Sequence, residues 1–219
     1  MGQIAEILII TVIAELIAIA LLTFLGGLLS KKARWALTVV FGRLLDIDVE
    51  HVFRSKSEAN ADIQDELRRA SFVYLLTGRG NELQRETFAG ALNGNPNGRK
   101  PKFRILLPVA QPKKGEIDWT GQREIEISAV DPAFGHGILR EQIETTIKFL
   151  GPYVNVGGVE LKRFNYPHIG RILITDAVVY FTPYHQDAHG RNSNVIKYRR
   201  GGEMYDSFLR LFSQLWEYG

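Results

Sequence analysis

The sequence predicts an α/β protein: a single N-terminal transmembrane helix followed by one cytoplasmic α/β domain with a mixed sheet. Three observations carry this. Residues 7–29 are almost continuously apolar, broken by Glu15 and the Gly26-Gly27 pair. From residue 55 onward, helical stripes alternate with short runs of strand formers, the order that builds α/β domains. Hydrophobic residues make up 45% of the 219 and charged residues 23%, so the chain can bury a core.

Composition also excludes some chemistry. There is no cysteine, hence no disulfide framework, cysteine nucleophile or thiolate metal site. Residues 1–30 hold two of the 24 acidic residues and no Lys or Arg. The other 189 residues therefore carry 27 cations against 22 anions, a net of +5. This is too little to predict nucleic-acid binding, but it suits an anionic ligand or surface.

The apolar run has 23 residues, which at ~1.5 Å per residue reaches ~34 Å, enough for a hydrocarbon core of ~30 Å. Cations follow it at Lys31, Lys32 and Arg34 and none precede it. A cleaved leader is thus disfavoured, and the positive-inside rule puts the N-terminus outside and the domain in the cytoplasm at the inner membrane. Glu15, mid-span, is costly in lipid. It is expected either to snorkel or be protonated, or to associate helices or line a polar path, with Glu6 at the outer mouth. The expected division is a transmembrane helix over 1–30, a juxtamembrane helix and linker over 31–54, and a ligand-binding domain over 55–219.

In the domain, Ser55 and Glu58 form a capping box for a helix carrying Ile63, Leu67 and Ala70. Residues 72–76 (Phe-Val-Tyr-Leu-Leu) read as a strand and 82–92 as a helix. After a loop over 93–101, residues 103–109 form a second buried strand. Residues 110–136 are polar and punctuated by Gly and Pro, and are expected to carry a variable insertion, with Glu124 and Glu126 on one face of a strand. A helix over 137–150 follows, then strands at 159–164, 172–174, 178–181 and 195–198. A helix over 203–218 turns Tyr205, Phe208, Leu211, Phe212, Leu215 and Trp216 inward.

Thr77-Gly78-Arg79-Gly80-Asn81 lies between the first of these strands and a helix start. Glycines permit close backbone approach, helix N-terminal amides attract anions, and Arg79 adds a fork donor. The loop is neither a Walker loop nor Gly-x-Gly-x-x-Gly, and a ligand-free turn would use the same glycines.

A second constellation is His168, Arg171 and Asp176, around the 172–174 strand. It resembles part of the phospholipase D signature His-x-Lys-x-x-x-x-Asp. The cation-to-Asp spacing is kept with Arg for Lys, while His168 stands one residue too far from Arg171. From residue 72 to 218 the element order resembles a single divergent phospholipase D-like lobe. That resemblance implies a His nucleophile, a phosphate-holding cation and an Asp that orients the site. It also implies two lobes facing one another, so a lone lobe would homodimerise. The alternative is that Asp176 only forms a turn and His168 is a loop residue.

Past the 178–181 strand, Thr182, Tyr184 and His185 open a polar loop that includes Asp187, His189 and Arg191. Tyr and His can stack while Arg pairs with phosphate. No metal-site motif supports His185, Asp187 and His189 as ligands, and neither a metal nor a cofactor is expected.

The leading expectation is a non-enzymatic membrane sensor or effector. Its domain would bind a phosphorylated or nucleotide-like ligand and control helix assembly or a pore. The architecture is similar to small bacterial defence effectors with cyclic-oligonucleotide-sensing domains. The expected partners are the lipid bilayer, that anionic ligand and further copies of the chain in a homo-oligomer. The alternatives are a membrane-tethered homodimeric phosphodiesterase or nuclease, and a non-catalytic adaptor.

Overall fold

The computed structural model describes residues 12, 14–19, 21–22, 40, 42, 48–94, 100–185 and 193–219. The chain divides into two units, Met1–Ile47 and Asp48–Gly219. In the first unit, Val12, residues 14–19, Leu21 and Leu22 are helical, and Glu15 is exposed. The expected transmembrane helix is corrected: among the described residues no helix is long and apolar enough to cross a membrane. Much of the 7–29 segment, and most of the juxtamembrane helix expected over 31–45, lie outside the described residues. With no span among the described residues, the role given to Glu15 in helix association or a pore has no support.

The second unit is an α/β domain around one seven-stranded mixed sheet. Its strands are β1 (Val49–Phe53), β2 (Phe72–Leu76), β3 (Lys102–Pro108), β4 (Val159–Phe164), β5 (Gly170–Thr175), β6 (Val178–Pro183) and β7 (Val195–Arg199). Their spatial order is β1-β7-β6-β5-β2-β3-β4. The β2, β3 and β4 strands run parallel, while β5, β6, β7 and β1 pair antiparallel. The parallel and antiparallel halves meet between β2 and β5, where Leu76 stands opposite Ile172.

Alternation along the strands fills two cores. Leu75, Ile105, Leu107, Leu173 and Tyr180 face α1 (Lys56–Leu67), α2 (Glu86–Asn93) and α4 (Ile138–Asn155). Their neighbours Leu76, Leu106, Ile172, Ile174 and Val179 face α5 (Glu203–Tyr218) and its Tyr205, Phe208, Phe212 and Trp216. Such a sheet, covered on both faces, explains the continuous apolar runs of β2, β3 and β5.

Two expectations are corrected. The linker expected before residue 54 contains β1, which pairs with β7 at the sheet edge. Its side-chain pattern is short and half-exposed, so it lacked a buried-strand signature. The polar stretch over 110–136 contains a helix, α3 (Trp119–Val130), capped by the Asp118 side chain on Gly121 N (2.9 Å). This helix buries only a thin edge, with Ile127 packed near Phe134 and Leu139. Glu124 on it is buried and accepts from Leu139 N (2.8 Å), capping α4 from outside.

Candidate functional site

A cavity of about 210 Å³ opens where the two halves of the sheet meet. It lies beyond the carboxyl end of β2, the place where ligands bind in open α/β sheets. Three segments converge there: the loop after β2, the approach to β5, and the end of β6. Because β5 runs antiparallel to β2, its first residues arrive at the end where β2 finishes. Arg171 on β5 is paired with Thr182 on β6, so both side chains enter from neighbouring strands.

The lining includes Thr77, Gly78, Arg79 and Asn81 of the first loop, His168 and Arg171 from the second constellation, and Thr182 and Tyr184 from the third. The fold thus brings the 77–81 loop together with two segments, at 168–171 and 182–184, that lie about a hundred residues further along the sequence. Gly80 stands behind them. Its φ of +71° is left-handed, and a Cβ there would meet Thr146 Cγ2 at 2.7 Å and Leu107 Cδ2 at 2.8 Å, so it shapes the turn. Gly78 serves differently: a Cβ would stand 3.1 Å from Tyr184 Cε2 and 3.5 Å from His168 Nδ1. Its N–H donates to the Tyr184 hydroxyl at 3.2 Å.

Two expected residues stand elsewhere. The exposed His185 side chain is not in the lining. Its backbone carbonyl accepts from Arg123 Nη1 (3.0 Å). Residues 186–192 of that loop, including Asp187, His189 and Arg191, lie outside the described residues. Asp176 is at the opposite end of β5, five residues or roughly 17 Å from Arg171. Its carboxylate accepts from Ser71 N at 2.8 Å. Asp176 therefore holds a turn, and the geometry does not let it orient the cavity.

The sequence reading missed Lys56, Glu82, Arg85, Arg123, Ile127 and Leu139, all in the lining. Lys56 is the first residue of α1, just past the Ser55 cap. Glu82 follows the glycine loop in the 3-10 turn Asn81–Gln84. Its position one residue beyond the loop was a usable signal. Arg123 was hidden because α3 was not recognised.

Glu82 is the hub. Lys56 Nζ stands 3.7 Å and Arg171 Nε 3.0 Å from its carboxylate, and Thr77 Oγ1 donates to it at 2.9 Å. Burial pushes the Glu82 carboxyl up, but Lys56, Arg171, its own backbone amide and Thr77 outweigh that and hold it at about 2. Lys56 falls to about 8, first through burial, which Glu82 opposes and Arg171, Arg85 and Arg79 reinforce. Burial, then Arg123, lowers His168 to about 4, so its ring is neutral at pH 7.

Several polar atoms here are buried without a hydrogen-bond partner among the described residues. They are both ring nitrogens of His168, the Arg171 guanidinium nitrogens and Thr182 Oγ1. Arg171 is only 2% exposed. Its contact with Glu82 is a close ion pair rather than a directed hydrogen bond, and its Cζ lies 5.6 Å over the Phe88 ring. A guanidinium carries five N–H donors in a fixed fork, and leaving buried donors unmatched is costly. Arg79 is held by Gln142 Oε1 (3.1 Å), and Arg123 pairs with Glu126 (2.7 Å) and lies over the Tyr184 ring. The arrangement offers unspent donors and excess positive charge to an anion.

No family model matches the chain, and no curated protein matches it in sequence. Solved structures with a similar chain course include TrmBL2, an archaeal chromatin protein whose structure shows a novel mode of DNA binding. It is 17% identical with a TM-score of 0.45, over 95% of this chain and 66% of that one. The present chain thus spans just under two thirds of TrmBL2's length. Another is Nuc from Salmonella typhimurium, a phospholipase D family member. It is 15% identical with a TM-score of 0.43, over 76% of this chain and 93% of that one. These values describe a loose likeness of fold and say nothing about ligand or reaction.

Proposed function

We propose that the Asp48–Gly219 domain is a binding module for a small phosphorylated ligand, with a phosphoryl group seated against Arg171, His168 and Thr182. The observation that carries this is the buried Arg171 fork, whose donors are unmatched, in the lining of a cavity it shares with Lys56, Arg79, Arg85 and Arg123. Planar forks suit phosphate oxygens, and burial makes each such contact stronger than in water. The cavity is smaller than the ~300–1,000 Å³ usual for drug-sized ligands, so it accommodates one compact anionic end of a molecule.

The test is calorimetry of the full chain with inorganic phosphate at fixed ionic strength. Saturable binding is expected, weakened about tenfold or more in Arg171→Lys, which keeps the charge but loses the fork. Absence of saturable phosphate binding would sink the proposal.

A second reading is phosphodiester hydrolysis, favoured by one observation: His168 is neutral and shares the cavity with Arg171. Binding is better supported, because it needs only the unmatched donors, whereas hydrolysis also needs a proton for the leaving oxygen; Glu82 stays ionised at neutral pH, and Lys56, at about 8, is engaged with Glu82. Turnover of bis(p-nitrophenyl) phosphate that vanishes in His168→Ala would reverse this ranking.

A further inference from the structure

The charge around the cavity exceeds what a single phosphoryl group requires, and the excess has a direction. Lys56, Arg79, Arg85 and Arg171 lie close enough together that the three arginines each depress Lys56. Among the described residues of the lining one carboxylate, that of Glu82, stands against these four cations, leaving a net of +3. Arg123 is already matched by Glu126. Among the described side chains neither Arg79 nor Arg85 has an ion-pair partner. A phosphomonoester carries about −1.5 to −2 near neutral pH and would leave this cluster positive by one or more.

The cations also differ in depth. Arg171, Thr182, Thr77 and Glu82 are each 4% exposed or less. Arg79 and Asn81 are half-buried, and Arg85 is exposed. The loop that carries the outer arginine is itself fixed. Thr146 Oγ1 donates to the Arg79 carbonyl at 2.9 Å, and the Arg79 guanidinium lies 5.9 Å over the Phe134 ring. An outer cation held this firmly can contact a ligand with little ordering cost.

The geometry points to a ligand bearing two linked phosphoryl groups, a diphosphate end, with the inner phosphoryl on Arg171 and the outer one on Arg79 and Arg85. This rests on the phosphate-binding reading above. Such an end carries about three negative charges, one from the bridging-type phosphoryl and about two from the terminal one, which matches the cluster. The body of the molecule leaves through the mouth beside exposed Arg85.

Calorimetry on the full 219-residue chain tests this without knowing that body. Inorganic phosphate and pyrophosphate are titrated at the same ionic strength, into wild type and into an Arg79→Gln/Arg85→Gln double variant. Pyrophosphate is expected to bind wild type about tenfold tighter or more. That preference should collapse to within about threefold in the double variant, with the circular dichroism spectrum unchanged. Saturable phosphate binding with no pyrophosphate preference overturns this inference and leaves the phosphate site standing. A preference that survives in the double variant overturns the assignment to Arg79 and Arg85. If neither anion binds, both this inference and the phosphate reading fall.

Discussion

Two buried charge clusters lie on the same side of the sheet and are built on opposite plans. In one, Lys197 on β7 is 6% exposed and sits 3.1 Å from Glu50 of β1 and 3.0 Å from Asp62 of α1. The Tyr180 hydroxyl also donates to Asp62 at 2.6 Å. One cation meets two carboxylates, and its contacts are spent within the protein. In the other, around Glu82, four cations share one carboxylate and the Arg171 donors go unmatched. Both clusters bury charge at a desolvation cost. Only the second leaves valence for something else. A buried ion pair by itself is weak evidence of function; the imbalance is the informative feature.

The largest effect that can break this comparison is Lys197→Met. It strands Glu50 and Asp62 beside one another without their cation, and about 3–5 kcal/mol of stability should be lost. Phosphate affinity should not change, since Lys197 is absent from the cavity lining. Arg171→Met should do the reverse. Lys56 still accompanies Glu82 and cation crowding is relieved, so stability should fall by no more than about 1–2 kcal/mol while phosphate binding disappears. Urea titrations of both variants measure this. Equal destabilisation would mean that the two clusters do the same structural job.

A somewhat smaller effect concerns acid. Glu82 is held at about 2 in the folded protein against an ordinary 4.5. Between those values the unfolded chain binds the proton and the folded chain does not. The stability that Glu82 contributes is therefore complete above about pH 4.5 and is lost as pH falls towards 2, amounting to roughly 3 kcal/mol. Urea midpoints across that window should show a steeper acid limb in wild type than in Glu82→Gln. Parallel limbs would show that the hub carboxylate is not paired as described.

The uneven legibility of the sequence follows the same physics. The strand at 72–76 was readable as an apolar run of strand formers, that at 159–164 by its alternation of apolar and charged residues, and the helix at 203–218 because its buried residues repeat at the helical period. The Ser55 cap was readable because capping chemistry is local, and its side chain does accept from Glu58 N. By contrast, β1 and α3 bury few apolar side chains, Phe53 in the one and Ile127 in the other, so their hydrophobic periodicity is faint. The cavity was legible only in pieces. Thr77 to Asn81, His168, Arg171, Thr182 and Tyr184 stood out as chemistry-bearing types, but nothing local in the sequence says that β5 runs antiparallel to β2. That pairing decides that Arg171 meets the 77–81 loop and that Asp176 does not. Lys56 was invisible for a related reason: a lysine at a helix start is an ordinary surface residue until a fold encloses it.

The smallest effect sharpens the comparison within a single strand. Arg171 and Asp176 lie near opposite ends of β5, and the signature they partly resemble treats them as members of one site. The structure spends Asp176 on the turn: its carboxylate takes Ser71 N at 2.8 Å, and its backbone carbonyl takes Arg200 Nη1 at 3.1 Å. Asp176→Ala removes only the first of these bonds. Ser71 is exposed, so water can replace the lost acceptor, and the cost should be about 0.5–1.5 kcal/mol. No group in the cavity loses a partner, so the phosphate dissociation constant should stay within about twofold of wild type. Calorimetry beside a urea titration reads both quantities on one preparation. A tenfold loss of affinity at nearly unchanged stability would tie Asp176 to the cavity after all, because a local turn defect cannot reach across the sheet without first weakening the fold.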